Sequence, residues 1–141
     1  MKTIIALALT LLALGCTTGV DNKNKIVAEK LFDAFNRHEW EQMAAYYSDS
    51  ALFLDPSYGK EFVMKSRTET AKKYVEMESM FPDIHDEVKG IYCDGDVVTV
   101  EFVSTGSVND SVKFTLPIIS VLTFRDGLII KDATYYDLEN P

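Results

Sequence analysis

The sequence predicts an α+β domain in which helices come first and a curved antiparallel sheet follows. Three observations predict it. Apolar residues recur at helical spacing in three segments before Pro82. After Pro82 the chain alternates and is rich in Val, Ile and Thr, residues that suit a pleated surface. Two turn signals, Asp94-Gly95-Asp96 and Arg125-Asp126-Gly127, divide that half into hairpins. Helices followed by strands pack as about three helices on one face of a sheet.

The spacing predicts a first helix over residues 25–37, where Val27, Leu31, Ala34 and Phe35 make one apolar stripe. Trp40, Met43, Ala44 and Tyr47 repeat the pattern in a short second helix, with Trp40 as a core anchor between the two. Residues 51–54 read as a short apolar strand ended by Asp55-Pro56, a turn pair. Ser66 and Glu69 have capping-box spacing and open a third helix that runs to Met80. Ala71, Tyr74, Met77 and Phe81 share its face, and Pro82 stops it. Strands follow over residues 88–93, 97–105, 113–124 and 128–138. Pro117 has no N–H for a ladder, so it belongs at a bulge or an edge. Period-two alternation places Ile130, Asp132, Thr134 and Tyr136 on one face of the last strand.

Residues 1–16 read as an address rather than as part of the fold. Lys2 precedes an apolar run, Ile4 to Leu14, shorter than the about 20 residues that span a bilayer. With Leu12-Ala13-Leu14-Gly15-Cys16, the segment resembles a bacterial lipoprotein signal. The resemblance implies cleavage before Cys16 and lipid on Cys16, and it places the protein in the cell envelope. Thr17 gives no aspartate-type retention signal, which favours the outer membrane. Ala13 stands where that pattern usually has Leu, and Leu14 where it has a smaller residue. Ala13-Leu14-Gly15 also fits ordinary signal peptidase, which would release a soluble protein, and an uncleaved helix is the third reading. The chain then divides into a signal at 1–15, a polar tether at 16–24 and one domain at 25–141, and the 126 residues after the signal suffice for a single core.

The formal charge is −8, and one unit more negative without Lys2. Nucleic acid is therefore not an expected partner, because phosphate contacts need Lys and Arg. Anionic lipid headgroups are disfavoured for the same reason. His38 and His85 are separated and lack both an H-E-x-x-H pattern and a cysteine cluster, so no metal is expected. His38 reads as a cap at the end of the first helix and His85 as a surface residue. The chain lacks a phosphate-binding loop and a dinucleotide fingerprint, so no cofactor is expected. Cys93 is the one cysteine besides Cys16 and reads as a lone buried thiol.

Several short segments, in order, resemble the NTF2-like superfamily and especially its SnoaL-like branch of polyketide cyclases and ketosteroid isomerases. They are Trp40 with Tyr46-Tyr47, Ala51-Leu52-Phe53-Leu54-Asp55-Pro56, Phe81-Pro82-Asp83, Asp94-Gly95-Asp96-Val97-Val98, Phe124-Arg125-Asp126-Gly127-Leu128-Ile129 and Tyr135-Tyr136-Asp137. The resemblance implies a cone, in which a strongly bent sheet wraps a long helix and leaves an apolar pocket. It does not imply one function, because the fold carries enzymes, binding modules and assembly domains alike.

Asp55 falls on the position of the isomerases' general base. Those enzymes pair the base with an oxyanion hole of a Tyr and a protonated Asp. Leu31 and Ile119 stand at those two positions, so classical steroid isomerisation is not implied. Asp132 matches the acid/base aspartate of the cyclases, while Leu116 and Ile118 replace its polar partners. Each carboxylate also has a plainer reading: Asp55 as a turn residue bonded to local backbone, Asp132 as a solvent-facing residue of the sheet. The pocket expected from the resemblance is lined by Leu31, Phe35, Tyr47, Phe53, Met77, Phe81, Leu116 and Ile118. Three functions are consistent with this pattern. The first is a lipid-anchored envelope domain that binds a small, largely apolar molecule. The second is a cofactor-free isomerase, cyclase or hydrolase using Asp55 or Asp132. The third is an interaction module forming a homodimer through the sheet.

Overall fold

The structure is a computed structural model that describes residues 18–109 and 112–137. The signal at 1–15 and Cys16 lie outside the described residues. The first helix, α1, runs Thr18–Asn36. It starts before residue 25, so most of the expected tether is helical. The apolar stripe begins only at Val27, which is why periodicity missed the earlier turns. Asn24 is buried, and its Nδ2 donates to the Gly95 carbonyl at 3.3 Å, tying this part of α1 to a hairpin turn. His38 ends the helix with a φ of 56°. Its N–H reaches the Phe35 carbonyl and that of Glu39 reaches Ala34, so two terminal carbonyls are satisfied in a Schellman pattern.

Helix α2 is a single turn, Trp40–Ala44, and β1 follows at Tyr47–Leu54. Tyr47 is thus the first residue of a strand, not part of a helix. Trp40 is buried as the expected anchor; its ring lies parallel to those of His38 and Tyr74, and its Nε1 donates to Glu78 at 2.6 Å. After a 3₁₀ turn at Pro56–Tyr58 comes a short edge strand, β2, Val63–Ser66. Its side chains are half-buried or exposed, so no alternation announced it. Helix α3, Arg67–Met80, begins at the Ser66–Glu69 capping box and stops at Phe81, whose backbone before Pro82 is not helical.

The remaining strands are β3 (His85–Asp94), β4 (Val97–Asn109), β5 (Val112–Arg125) and β6 (Leu128–Tyr135). Among the described residues six strands form one sheet, in the order β2-β1-β6-β5-β4-β3. The sheet is mixed rather than wholly antiparallel, because β6 returns alongside β1 in parallel register, with Phe53 opposite Asp132. The β5–β6 turn has φ of 53° at Asp126 and 77° at Gly127, the pair of left-handed residues that a tight I′ hairpin requires. Pro117 lies beyond the last β5–β6 pair, Ile119 with Tyr135, so that side of β5 is an edge there.

A bulge on β6 changes which residues face inward. Phe124 pairs with Ile129 and Thr123 with Lys131, so Ile130 is the extra residue. Ile129 and Asp132 are therefore both buried, and Ile130 does not continue the Asp132 face. Helix α1 packs on β3 and β4, and α3 on β1 and β2. The core joins Phe35, Trp40, Phe102, Leu122 and Ile129. Burial of a side chain of this size contributes about 1.5–3 kcal/mol. Cys93, expected to be buried, is half-buried on β3.

Candidate functional site

Between the helices and the concave face of the sheet lies a cavity of about 480 Å³. Leu31 and Phe35 reach it from α1, Tyr47 from β1, Met77 from α3, Phe81 from the α3 cap, and Leu116 and Ile118 from β5. Phe53 does not line it. Its ring is buried against Tyr47, with centroids 5.1 Å apart, so it supports the wall from behind. Gly106 on β4 allows the wall to close, because a Cβ there would come within 2.6 Å of the Phe114 ring.

Asp55 and Asp132 both line this cavity. Asp55 ends β1 and caps the 3₁₀ turn: its Oδ1 accepts from the Ser57 N–H at 2.8 Å. The same oxygen accepts from Tyr136 Oη at 2.8 Å, and Oδ2 accepts from Lys73 Nζ at 2.6 Å. The turn-residue reading and the cavity reading therefore both describe Asp55. Burial pushes its carboxyl up, but the Lys73 ammonium and the Ser57 bonds outweigh burial and hold it below the usual range. Lys73 also lies over the Tyr58 ring, 4.4 Å from its centroid.

Asp132 is differently placed. Tyr47 Oη donates to its Oδ2 at 2.7 Å and Thr134 Oγ1 to its Oδ1 at 3.0 Å. Ser120 then donates to Thr134 at 2.7 Å, which extends the network onto β5. Burial raises the Asp132 carboxyl, and these hydrogen bonds only partly offset it. A carboxyl of this kind takes up and releases a proton nearer neutrality than an exposed one does. The solvent-facing reading of Asp132 is set aside, since the residue is only 7% exposed.

Ile119, given the oxyanion position by resemblance, is exposed on the outer face. The inward polar residue of that segment is its neighbour Ser120. Sequence reasoning also passed over Lys73 and Asp86. Lys73 was detectable, because Thr70, Lys73, Tyr74 and Met77 share one helical face. Asp86 alternates with buried Ile84, a signal hidden by starting the strand at Val88. His85 is exposed, as expected, and His38 bonds Glu78 and the Ile84 carbonyl rather than the cavity. Among the described residues no group of three or more His, Cys, Asp or Glu is arranged to hold a metal ion.

The family model for the SnoaL-like domain matches residues 28–131. No curated protein matches the sequence. Among solved structures, the chain is similar to a hypothetical protein with a ketosteroid isomerase-like fold from Catenulispora acidiphila, in complex with trimethylamine. That match is 19% identical, covers 79% of this chain and 85% of that one, and has a TM-score of 0.70. A protein assigned as a SnoaL-like polyketide cyclase from Jannaschia sp. is 17% identical over 86% and 90% of the two chains, with a TM-score of 0.72. An LEH-like epoxide hydrolase from M. tuberculosis is 16% identical over 85% and 86% of the two chains, with a TM-score of 0.71. At these identities the structural likeness establishes the fold alone.

Proposed function

This chain belongs to the SnoaL-like domain family, and we propose that it binds a small, largely apolar molecule in the cavity. The observation that carries this reading is the cavity itself, about 480 Å³ with mostly hydrophobic and aromatic walls and a few convergent polar groups. Ligand pockets have this size and composition. Tyr47, Asp132 and Thr134 supply the polar end that would fix a ligand's orientation. The test is a thermal-shift screen of apolar compounds of about ten to twenty carbon atoms, a size suited to such a pocket. A shift in Tm that saturates with concentration is expected, and a flat response across the panel would sink the reading.

A second reading, a cofactor-free enzyme, is supported by Asp132. It is a buried carboxyl raised toward neutrality beside a tyrosine and a threonine, as proton transfer needs. Asp55 is the weaker base, because Lys73, Ser57 and Tyr136 already occupy its oxygens. In this reading Asp132→Asn abolishes turnover with ligand binding retained. Self-association has a narrower basis, the exposed Ile119 and Tyr135 paired across β5 and β6 on the outer face. A monomer by light scattering at high concentration would remove it.

The address is also proposed. No helix among the described residues is long and apolar enough to cross a membrane, and the sequence pattern ending at Cys16 supports an acyl anchor in the cell envelope, at the outer membrane. Labelling with a clickable palmitate analogue, lost in Cys16→Ser, tests it.

A further inference from the structure

We propose that the cavity takes a molecule with an apolar body and a protonated amine, and that Asp86 receives the ammonium group. The inference rests on reading the cavity as a site for a small apolar molecule, and it names the chemistry of the occupant.

Asp86 lies on β3, three strands across the sheet from Asp132 on β6. Its backbone is clamped to the end of α1: the Asp86 N–H donates to Asn36 Oδ1 at 2.8 Å, and its carbonyl accepts from Asn36 Nδ2 at 2.9 Å. The side chain lines the cavity and is 6% exposed. Ser104, its partner across β3 and β4, donates one hydrogen bond to the carboxylate. Oδ1 has no partner at all, the one buried side-chain polar atom among the described residues left so. Native structures rarely leave such an atom unanswered, and the residue that carries it lines the cavity, so a ligand group that meets the Asp86 carboxylate completes the bonding.

Charge selects the kind of group. Asp55, Asp86 and Asp132 line the cavity, against Lys73 as its one cation among the described residues, and Lys73 is committed to Asp55 at 2.6 Å. Two acids are therefore uncompensated. A neutral hydroxyl would satisfy Oδ1 as a donor but leave the charge unanswered. An anion would add to the repulsion. An ammonium group supplies the donor and the opposite charge together, in surroundings where both are strengthened by the low dielectric. The aromatic walls favour the same choice, since Phe32, Phe102, Phe81 and Phe114 present rings to the cavity and cations are attracted to ring faces. Asp86 carries no competing ion pair among the described residues, unlike Asp55.

The test compares 4-phenylbutylamine with its neutral counterpart, 4-phenylbutan-1-ol, by calorimetry at pH 8. The proteins are wild type, Asp86→Asn and Glu87→Gln, the last removing a charge from the neighbouring exposed residue of the same strand. The amine is expected to bind wild type about tenfold or more tighter than the alcohol. Asp86→Asn should lose that preference and keep alcohol binding; Glu87→Gln should keep the preference. Equal binding of the two compounds to wild type overturns the amine assignment and leaves the apolar-ligand reading intact. A preference that survives in Asp86→Asn overturns the role of Asp86. Failure of both compounds to bind wild type overturns the cavity reading and this inference together. A crystal structure of wild type with the amine decides the placement without any variant. Its nitrogen should lie about 3 Å from an oxygen of the Asp86 carboxylate, and a nitrogen seated on Asp132 or Asp55 overturns the proposal.

Discussion

Lys73 Nζ sits 2.6 Å from Asp55 Oδ2, and both side chains are largely buried. The contact ties the middle of α3 to the end of β1 across the cavity wall. It also divides the labour between two carboxylates that the sequence presents as equals. Asp55 is held ionised by a cation and local hydrogen bonds. Among the described residues Asp132 has only neutral hydroxyl donors, and burial raises it. Asp55, at the position that resembles the isomerases' base, is thus the poorer proton acceptor of the two.

Replacing Lys73 by Met should expose this arrangement. Breaking one side of a buried pair leaves the other charge uncompensated, and the expected loss is about 3 kcal/mol, read by urea denaturation at pH 7. The sign of the pH effect follows from the depressed Asp55 carboxyl. Its stabilisation is present above the unfolded-state value of about 4 and is lost as pH falls through the lower folded-state value. In Lys73→Met that depression disappears, so the Asp55 resonance in carboxyl NMR titrates at higher pH than in wild type.

Asp86 has the opposite sign. Burial lifts it from 3.8 to about 7, with the Ser104 hydrogen bond opposing. The folded state then holds a proton that the unfolded state releases, so stability falls as pH rises from about 4 to 7 and is level above that. The full difference is on the order of 4 kcal/mol, an upper bound because the protein relaxes around a buried charge. Asp132, also raised, contributes a slope of the same sign. Asp86→Asn should be more stable than wild type at pH 8 and should flatten part of the profile. Chemical denaturation at pH 5 and pH 8 reads both effects, and an unchanged slope would show that Asp86 does not bind the proton.

Most of the fold was legible because periodicity, capping and turn chemistry agree along the chain. The Ser66–Glu69 box, the Pro82 stop and the Asp126-Gly127 turn are local signals with local causes. What escaped depends on distant partners. The early turns of α1 lack an apolar stripe and include Asn24, whose partner is Gly95. The β6 bulge, which exchanges Ile130 for Ile129 on the inner face, arises from pairing with β5. In the site, Asp55, Asp132 and most of the apolar lining were readable, because resemblance and alternation point to them. Lys73 and Asp86 were passed over: the helical face that Lys73 shares with Tyr74 and Met77 was the one signal for it, and an Asp just before the expected strand start looks like a surface residue until the third dimension buries it.

Tyr47 Oη donates to Asp132 Oδ2 at 2.7 Å in a buried setting. Tyr47→Phe removes that donor without opening much space. The bond favours the ionised carboxyl, so its loss raises Asp132 further. The penalty for a buried unpaired carboxylate oxygen is about 1–3 kcal/mol. It should be larger at pH 8, where ionisation is demanded, than at pH 5, where the neutral acid needs less help. Denaturation midpoints at the two values check this. If turnover is found for any substrate, the limb of the pH–rate profile set by Asp132 should move up in the same variant.

Ile118 lines the cavity from β5, opposite the helices, and its side chain is half-buried rather than locked in the core. Ile118→Trp therefore has space to turn its ring into the empty volume. Overpacking costs about 1–3 kcal/mol where a core is already full, and here part of that cost is offset by apolar surface the ring buries. The chain should stay folded, with a far-UV spectrum like wild type. Ligand-induced stabilisation should be lost, because the volume that the ligand needs is occupied. The indole fluorescence supplies a control: burial of the new ring shifts its emission to the blue, beyond the signal of Trp40, the one native tryptophan. A folded variant with a buried indole that still binds apolar compounds as wild type does would mean that they bind outside this cavity.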